Sequence, residues 1–358
     1  MRIFVTGALG FIGSHFVMRA LAAGHEVLGL YRRADGEKAH RLRQLATQGA
    51  HLTHGDILEP DRFDALLEGV NCICHFAAAF KGSGHRAAEF ERINVTGTRC
   101  LLQSASRAGV QRFVLCSTAG IYGQQLKGVT DETAEPRPWN GYERSKHAAE
   151  VLVRTHAARH EMQYVILRPA VVYGPGDDRL LKLFRSASKG RFPLFGPGEG
   201  RRHMVYVTDV VDAFLLACTT RAAANQEMII AGPQAVRLRD LLDVLAGVVQ
   251  RRRCGPRLPL LPMLLLAAAV EDACKLVGVS PPLYRRRMDF YRSDAEFDCS
   301  RARQILGWSP RIDLVEGLRH TYEASRAEKC LVTRIASLLF GGFTLVFDAP
   351  ATWLILAI

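Results

Sequence analysis

The N-terminal half alternates between short apolar runs and amphipathic stretches, and that rhythm admits very few architectures. "RIFVTG" (2–7), "HEVLGLY" (25–31), "AHLTHGD" (50–56), "CICHFA" (72–77), "RFVLCST" (112–118) and "YVILRP" (164–169) read as strands. Helical patterns lie between them at about 11–23, 38–48, 61–67 and 86–108, and another begins near Tyr142. Strands this uniformly apolar are covered on both faces, which means a parallel sheet. Helical crossovers between parallel strands give a doubly wound α/β fold. After Gly174 the pattern changes to Gly/Pro-rich loops ("YGPGDD", "LFGPGEG") and short helices, including an apolar helix at 258–277 that is too short to span a bilayer. The reading is a sheet domain over 1–174, with the chain returning to it at about 204–232. A smaller α/β lobe covers 175–203 and 233–328, and an apolar tail follows over 329–358.

The chain has 358 residues, enough for one large domain or two closely joined ones. Its net charge of +12 invites a nucleic-acid reading. The basic residues are spread out, however, and the densest clusters, Arg251–Arg253 and Arg285–Arg287, come with no finger, basic-zipper or recognition-helix pattern. Nucleic acid is therefore excluded as the partner, while phosphorylated substrates or an anionic membrane suit such a surface. The nine cysteines include no C-x-x-C pair and no zinc spacing, so reduced core thiols in a cytoplasmic protein are expected, and no metal. "MRIFVTG" runs straight into a strand, which leaves no room for a signal peptide. At the other end "IASLLFGGFTLVF" (335–347) and "ATWLILAI" (351–358) flank Asp348-Ala349-Pro350. That broken apolar run suggests association with the cytoplasmic face of a membrane through 335–358, or packing on another subunit.

"TGALGFIGSH" carries the first chemistry. Gly7, Gly10 and Gly13 follow a strand and open a helix. Gly7 permits the tight turn, Gly10 lets backbone approach a pyrophosphate, and Gly13 brings helix close to strand, so the helix N-terminus meets the phosphates of a dinucleotide. The second strand then ends "GLYRR", with Arg32 and Arg33 where a carboxylate would hold the ribose hydroxyls of NAD. A guanidinium pairs with a 2′-phosphate, which favours NADP(H) over NAD(H); the alternative is that both arginines are solvated. Asp56 and Ile57, after the third strand, are placed at the adenine ring.

"GYERSKHAAE" carries the second. Tyr142 and Lys146 share a helix face and follow a strand whose carboxyl end brings Ser117 and Thr118 to the sheet edge where α/β ligands bind. Tyr-x-x-x-Lys alone is a cheap pattern; its position after that strand gives it meaning. An ammonium one turn from a phenol eases its ionisation, so Tyr142 can exchange a proton with a hydroxyl or carbonyl while a nicotinamide exchanges hydride.

Together "TGALGFIGSH", "GDILEP", "HFAAA", "INVTGT", "VLCSTAGIYG", "YERSK", "LRPAVVYGPGD" and "VYVTDVVDAF" resemble the extended short-chain dehydrogenase/reductase family, in its nucleotide-sugar epimerase/dehydratase branch with hydroxysteroid-dehydrogenase-like relatives. The likeness covers about residues 1–325. It implies a catalytic triad of Thr118, Tyr142 and Lys146. It also implies a cofactor lined by Gly7, Gly10, Phe11, Ile12, Gly13, Arg32, Arg33, Asp56, Ile57, Ala77, Ala78, Asn94, Tyr142 and Lys146, with Asn94 also supporting the lysine through water. Arg202 and Arg287 stand where a substrate diphosphate would be clamped, and a homodimer through helices 86–108 and 141–160 follows by the same analogy. Two departures matter. Sugar dehydratases carry Asp-Glu after the catalytic Thr, here Ala119-Gly120, which argues against dehydration; and Val171 replaces an Asn that serves the diphosphate. The leading expectation is therefore a nucleotide-sugar epimerase or oxidoreductase. A hydroxysteroid-like or keto-lipid reductase is the alternative, and a non-catalytic NADP-sensing or assembly subunit the reading from another class.

Overall fold

A computed structural model describes residues 1–80, 87–123, 125–276, 279, 281 and 285–339. In chain order its elements begin β1 (Arg2–Thr6), α1 (Phe11–Ala22), β2 (Glu26–Tyr31), α2 (Glu37–Thr47), β3 (His51–His54), β4 (Cys72–His75), α3 (Ala87–Phe90) and α4 (Gly97–Arg107). There follow β5 (Arg112–Cys116), β6 (Gln125–Thr130), α5 (Gly141–His160), β7 (Gln163–Pro169), β8 (Val171–Tyr173), α6 (Asp178–Ser188), β9 (Leu194–Phe195), β10 (Arg201–Tyr206), α7 (Val207–Thr219) and β11 (Gln226–Ile230). The remainder is β12 (Ala235–Arg237), α8 (Leu238–Val248), β13 (Arg257–Leu258), α9 (Leu260–Leu276), α10 (Arg285–Arg292), β14 (Asp294–Phe297), α11 (Ser300–Leu306) and α12 (Leu314–Leu339).

The chain divides into two units. The first holds Met1–Val172, Val205–Pro233 and Phe297–Arg311. Its sheet has seven strands in the order β11-β7-β5-β4-β1-β2-β3, every pairing parallel. The expected doubly wound sheet is thus present, and its strand order reverses between β1 and β4, where such sheets bind ligands outside their carboxyl ends. Ile3, Phe4, Val5, Ile73, Phe113, Val114 and Leu115 are fully buried, as strands covered on both faces require, each side chain contributing about 1.5–3 kcal/mol.

Three features differ from the sequence reading. The helix expected at 61–67 is a pair of 3₁₀ turns, Pro60–Arg62 and Asp64–Leu67, set off by a proline at the first helical position. The long helix at 86–108 is interrupted by one turn of π-helix, Glu91–Thr96, between α3 and α4. Phe297–Arg311, assigned from sequence to the smaller lobe, packs with the first unit: the Trp308 indole donates to the Asp209 carbonyl (2.8 Å) and the Asp298 amide to that of Thr130 (2.8 Å).

The second unit comprises Tyr173–Met204, Gln234–Glu296 and the chain from Ile312. Within it β10 pairs antiparallel with β12 at residues 201–203, and β9 pairs parallel with β13. A Cβ at Gly255 would lie 2.3 Å from the Phe192 carbonyl oxygen, so glycine there is what lets the two segments meet. Among the described residues no helix is long and apolar enough to cross a membrane. The apolar tail proposed for membrane contact lies outside the described residues from 340 onward.

Candidate functional site

The turn after β1 is built so that only glycine fits. Gly7 has φ +71°, and a Cβ on it would stand 2.7 Å from the Ala77 amide nitrogen. A Cβ on Gly13 would stand 2.2 Å from the Gly7 carbonyl oxygen, so α1 lies directly against the turn. The Gly7 and Ala8 amides donate to the Leu30 carbonyl (3.0 and 3.2 Å), which ties the turn to the end of β2. No side chain caps α1 at Gly10 and its first turn holds no acid, so the amides around Phe11, Ile12 and Gly13 keep their attraction for an anion.

Beside this turn is a cavity of about 180 Å³. Of the predicted cofactor residues, Gly7, Gly10, Arg32, Arg33, Asp56, Ile57, Ala77 and Ala78 line it; Phe11, Ile12 and Gly13 follow on the adjoining helix. Lys38, which the sequence reading did not single out, lines it too. Three cations thus face the cavity with one carboxylate, and Arg32 pairs loosely with Asp56 at 3.8 Å. A free-amide turn at one end and a cationic, partly apolar wall at the other fit a dinucleotide phosphate and its adenosine.

The second cluster sits on α5. Asn140 caps the helix by accepting from the Glu143 amide (3.1 Å), and Glu143 reaches back to the Trp139 amide (2.8 Å). This reciprocal box fixes the first turn and with it Tyr142. The Tyr142 ring stands edge-on to Phe80 (centroids 5.0 Å apart) and to Phe90 (6.2 Å). Lys146, one turn on, is buried; loss of water pulls its pKa down, against the pull of Cys116 and Glu150 upward. Thr118, two residues past β5, accepts the Gly120 amide at Oγ1 (3.1 Å). A Cβ at Gly120 would lie 3.3 Å from that hydroxyl and 3.5 Å from Glu143 Oε1, so the strand end abuts the first turn of α5. The Ser117 hydroxyl beside it is buried with no partner among the described residues.

Asn94 falls in the π-turn and is buried. Its amide accepts from Ala79 N (2.7 Å) and donates to Ala79 O (3.1 Å) and to Ser145 Oγ (2.8 Å), which in turn donates to the Tyr142 carbonyl (2.7 Å). Asn94 is thereby tied to the first turn of α5, at the Tyr142 carbonyl, through Ser145. The same network reaches the cofactor turn, a connection missed from sequence: Thr98 bridges the Asn94 carbonyl (2.6 Å) and His75 Nε2 (3.0 Å), and His75 Nδ1 meets Thr6 Oγ1 (2.6 Å). Thr6 Oγ1 also accepts the Ala77 amide (3.2 Å). Burial holds the His75 pKa down at about 3, so the ring is neutral and each nitrogen has one defined role. The signal was a histidine inside an otherwise apolar strand.

Arg202, expected to clamp a diphosphate, is buried. Its guanidinium donates to the carbonyls of Arg201 (2.8 Å), Ser293 and Phe290 and lies 5.3 Å from the centre of the Phe290 ring, and desolvation brings its pKa to about 10. Arg287 is in α10, but its side chain lies outside the described residues. As for metals, Cys72, Cys74 and Cys218 gather their sulfurs within 4.8 Å of one another in the core of the first unit, a grouping that sequence spacing did not reveal.

The fold and the two clusters define a dinucleotide-binding protein with a Tyr-Lys pair. The sequence model of the NAD dependent epimerase/dehydratase family matches residues 3–232, and the chain belongs to that family. It is thus an enzyme of the extended short-chain dehydrogenase/reductase type, using a nicotinamide cofactor. It is 32% identical over 91% of its length to a UDP-glucose 4-epimerase of Mycolicibacterium smegmatis, covering 99% of that protein. It is 30% identical to a dTDP-glucose 4,6-dehydratase of Streptomyces niveus, over 90% of this chain and 92% of that one. Among solved structures it matches UDP-glucose 4-epimerase from Thermotoga maritima with UDP-glucose at a TM-score of 0.75 and 27% identity, over 92% of this chain and 100% of that one.

Proposed function

We propose that this enzyme transfers hydride reversibly at a secondary alcohol of a nucleotide sugar, as an epimerase or oxidoreductase, with Tyr142, Lys146 and Thr118 as its catalytic residues. The observation that carries the reading is the half-buried phenol of Tyr142 one turn from the buried ammonium of Lys146, on a helix start fixed by the Asn140–Glu143 box. A cation held out of water exerts a stronger field than one in solvent, so Lys146 favours the phenolate form of its neighbour. Tyr142 takes the proton of the sugar hydroxyl and returns it, and Thr118 Oγ1 orients the reacting oxygen. When bound, the nicotinamide supplies the hydride acceptor and donor.

NADP(H) is the preferred cofactor in this proposal, supported by Arg32, Arg33 and Lys38 around one cavity with Asp56 as its acid. Ala119 and Gly120 after Thr118 favour epimerisation or net oxidation–reduction over dehydration. Arg202 is assigned to the diphosphate side in this proposal: its guanidinium rests on backbone carbonyls, Asp294 is the acid whose charge acts on it, and an anionic diphosphate would add to that counter-charge. A homodimer and a cytoplasmic site of action complete the proposal.

The test is calorimetric titration of the NADP-loaded protein with UDP, dTDP, GDP and CDP, followed by turnover of the matching sugar. Binding of one nucleotide, weakened at least tenfold in Arg202→Ala, with turnover lost in Tyr142→Phe, is the expected result. If no nucleotide binds while the cofactor is in place, the substrate reading fails.

A further inference from the structure

Helix α9 breaks the usual relation between hydropathy and burial. From Leu260 to Val270 it is apolar all round, a composition that belongs either inside a protein or in lipid. Its inner side is anchored by the fully buried Ala267. Its outer side is open: Leu261, Leu265 and Leu266 are 67%, 65% and 50% exposed, and Leu258 just before the helix is 39% exposed. Leu261 and Leu265 are one turn apart, so they form one face rather than a scatter of surface leucines.

What surrounds this face selects its partner. Arg251, Arg252, Arg253 and Arg257 are all exposed in the segment leading into α9, and residues 244–270 contain no carboxylate at all. The first acids, Glu271 and Asp272, come in the later part of the helix, and Glu271 is paired with Lys275 at 2.8 Å. Arg251 donates to the Ser188 carbonyl (2.9 Å) and stays exposed. In the chain, exposed arginines running directly into exposed leucines with no acid between them match an anionic lipid surface, where headgroups meet the guanidinium groups and acyl chains meet the leucines. No described helix is long and apolar enough to cross a bilayer, so the contact is in the plane of the surface.

We infer that the Leu258–Leu266 face of α9, with Arg251–Arg253 and Arg257, is an interfacial docking surface for anionic membrane. It is independent of the apolar tail and of the catalytic reading.

The experiment is flotation of the full-length protein with vesicles of phosphatidylcholine alone or with one third phosphatidylglycerol. The expected result is binding to the anionic vesicles, weakened by salt. Each arginine replaced among Arg251, Arg252 and Arg253 should weaken binding about fivefold. Leu261→Glu/Leu265→Glu should abolish it while cofactor binding stays intact. In unmodified protein, amide exchange over 258–276 should slow when anionic vesicles are added, a readout that needs no variant to fold. Three results overturn the inference: equal binding by the leucine variant, which assigns the membrane contact elsewhere in the chain; no preference for anionic lipid; or no vesicle binding by a protein whose oligomer the leucine variant splits, which makes the face a protein interface.

Discussion

Helices α5 and α9 break the same rule in opposite directions. The first buries Glu143, Ser145, Lys146 and Glu150, residue types that belong in water; the second leaves Leu261, Leu265 and Leu266 in water, although leucine belongs inside. The buried carboxylates persist because each has a structural answer: Glu143 accepts the Trp139 amide. Glu150 receives two hydrogen bonds from Arg168 (2.9 and 2.7 Å), and Arg168 also reaches Glu227 and the Tyr122 hydroxyl (2.8 Å). The exposed leucines have no such answer among the described residues. Where inversion is satisfied internally it builds a site; where it is left open it asks for a partner.

The largest expected effect is at Tyr142. Tyr142→Phe removes the proton-exchanging atom and leaves the ring against Phe80 and Phe90, so turnover should fall about 10³-fold, within the range for positioned acid–base groups. Cofactor affinity and melting temperature should hardly move. Turnover within tenfold of the parent would remove the phenol from the mechanism and with it the catalytic meaning of polar burial on α5.

Stability separates two of the buried charges of that helix. Glu150→Ala leaves Arg168 buried with one carboxylate fewer and should cost about 3 kcal/mol in urea unfolding. Lys146→Met should cost little, because burial, not a partner, dominates the lysine. Its depressed pKa means that the unfolded chain holds the extra proton in the window below the ordinary lysine value. Stability therefore rises with pH through that window in the parent and should not in Lys146→Met.

His75 gives a smaller, pH-gated effect. Its folded pKa of about 3 lies below the ordinary 6.5, so the folded protein binds fewer protons between those values. The stability held by the neutral ring is complete above pH 6.5 and is lost as pH falls toward 3, at up to about 1.4 kcal/mol per pH unit. His75→Asn should flatten that slope. An unchanged slope would place the acid sensitivity in other groups.

How far these regions could be read in advance follows the range of the interactions. The glycine turn, the strands and the Tyr142–Lys146 spacing are local, and each residue's neighbours in sequence carry the signal. The π-turn that aims Asn94, the Thr6–His75–Thr98 chain and the Glu150–Arg168–Glu227 cluster join residues far apart in sequence, so no periodicity announces them. Arg202 shows the same limit: its place in the sequence says nothing of the carbonyls of Ser293 and Phe290 that hold its guanidinium. The apolar character of 258–277 was legible, but which of its leucines stay in solvent depends on the fold around them.

The smallest expected effect completes the comparison. Leu261→Ser and Leu265→Ser remove apolar surface that folding never buries, so each should change urea stability by less than about 0.5 kcal/mol, as substitutions at open surface do. Ala267→Ser, on the same helix but fully buried, should cost more, since its hydroxyl enters a packed site. If the serine variants at 261 and 265 lost as much as the one at 267, these leucines would be covered in the folded protein. The contrast with α5 would then be one of degree, because both helices would owe their composition to packing.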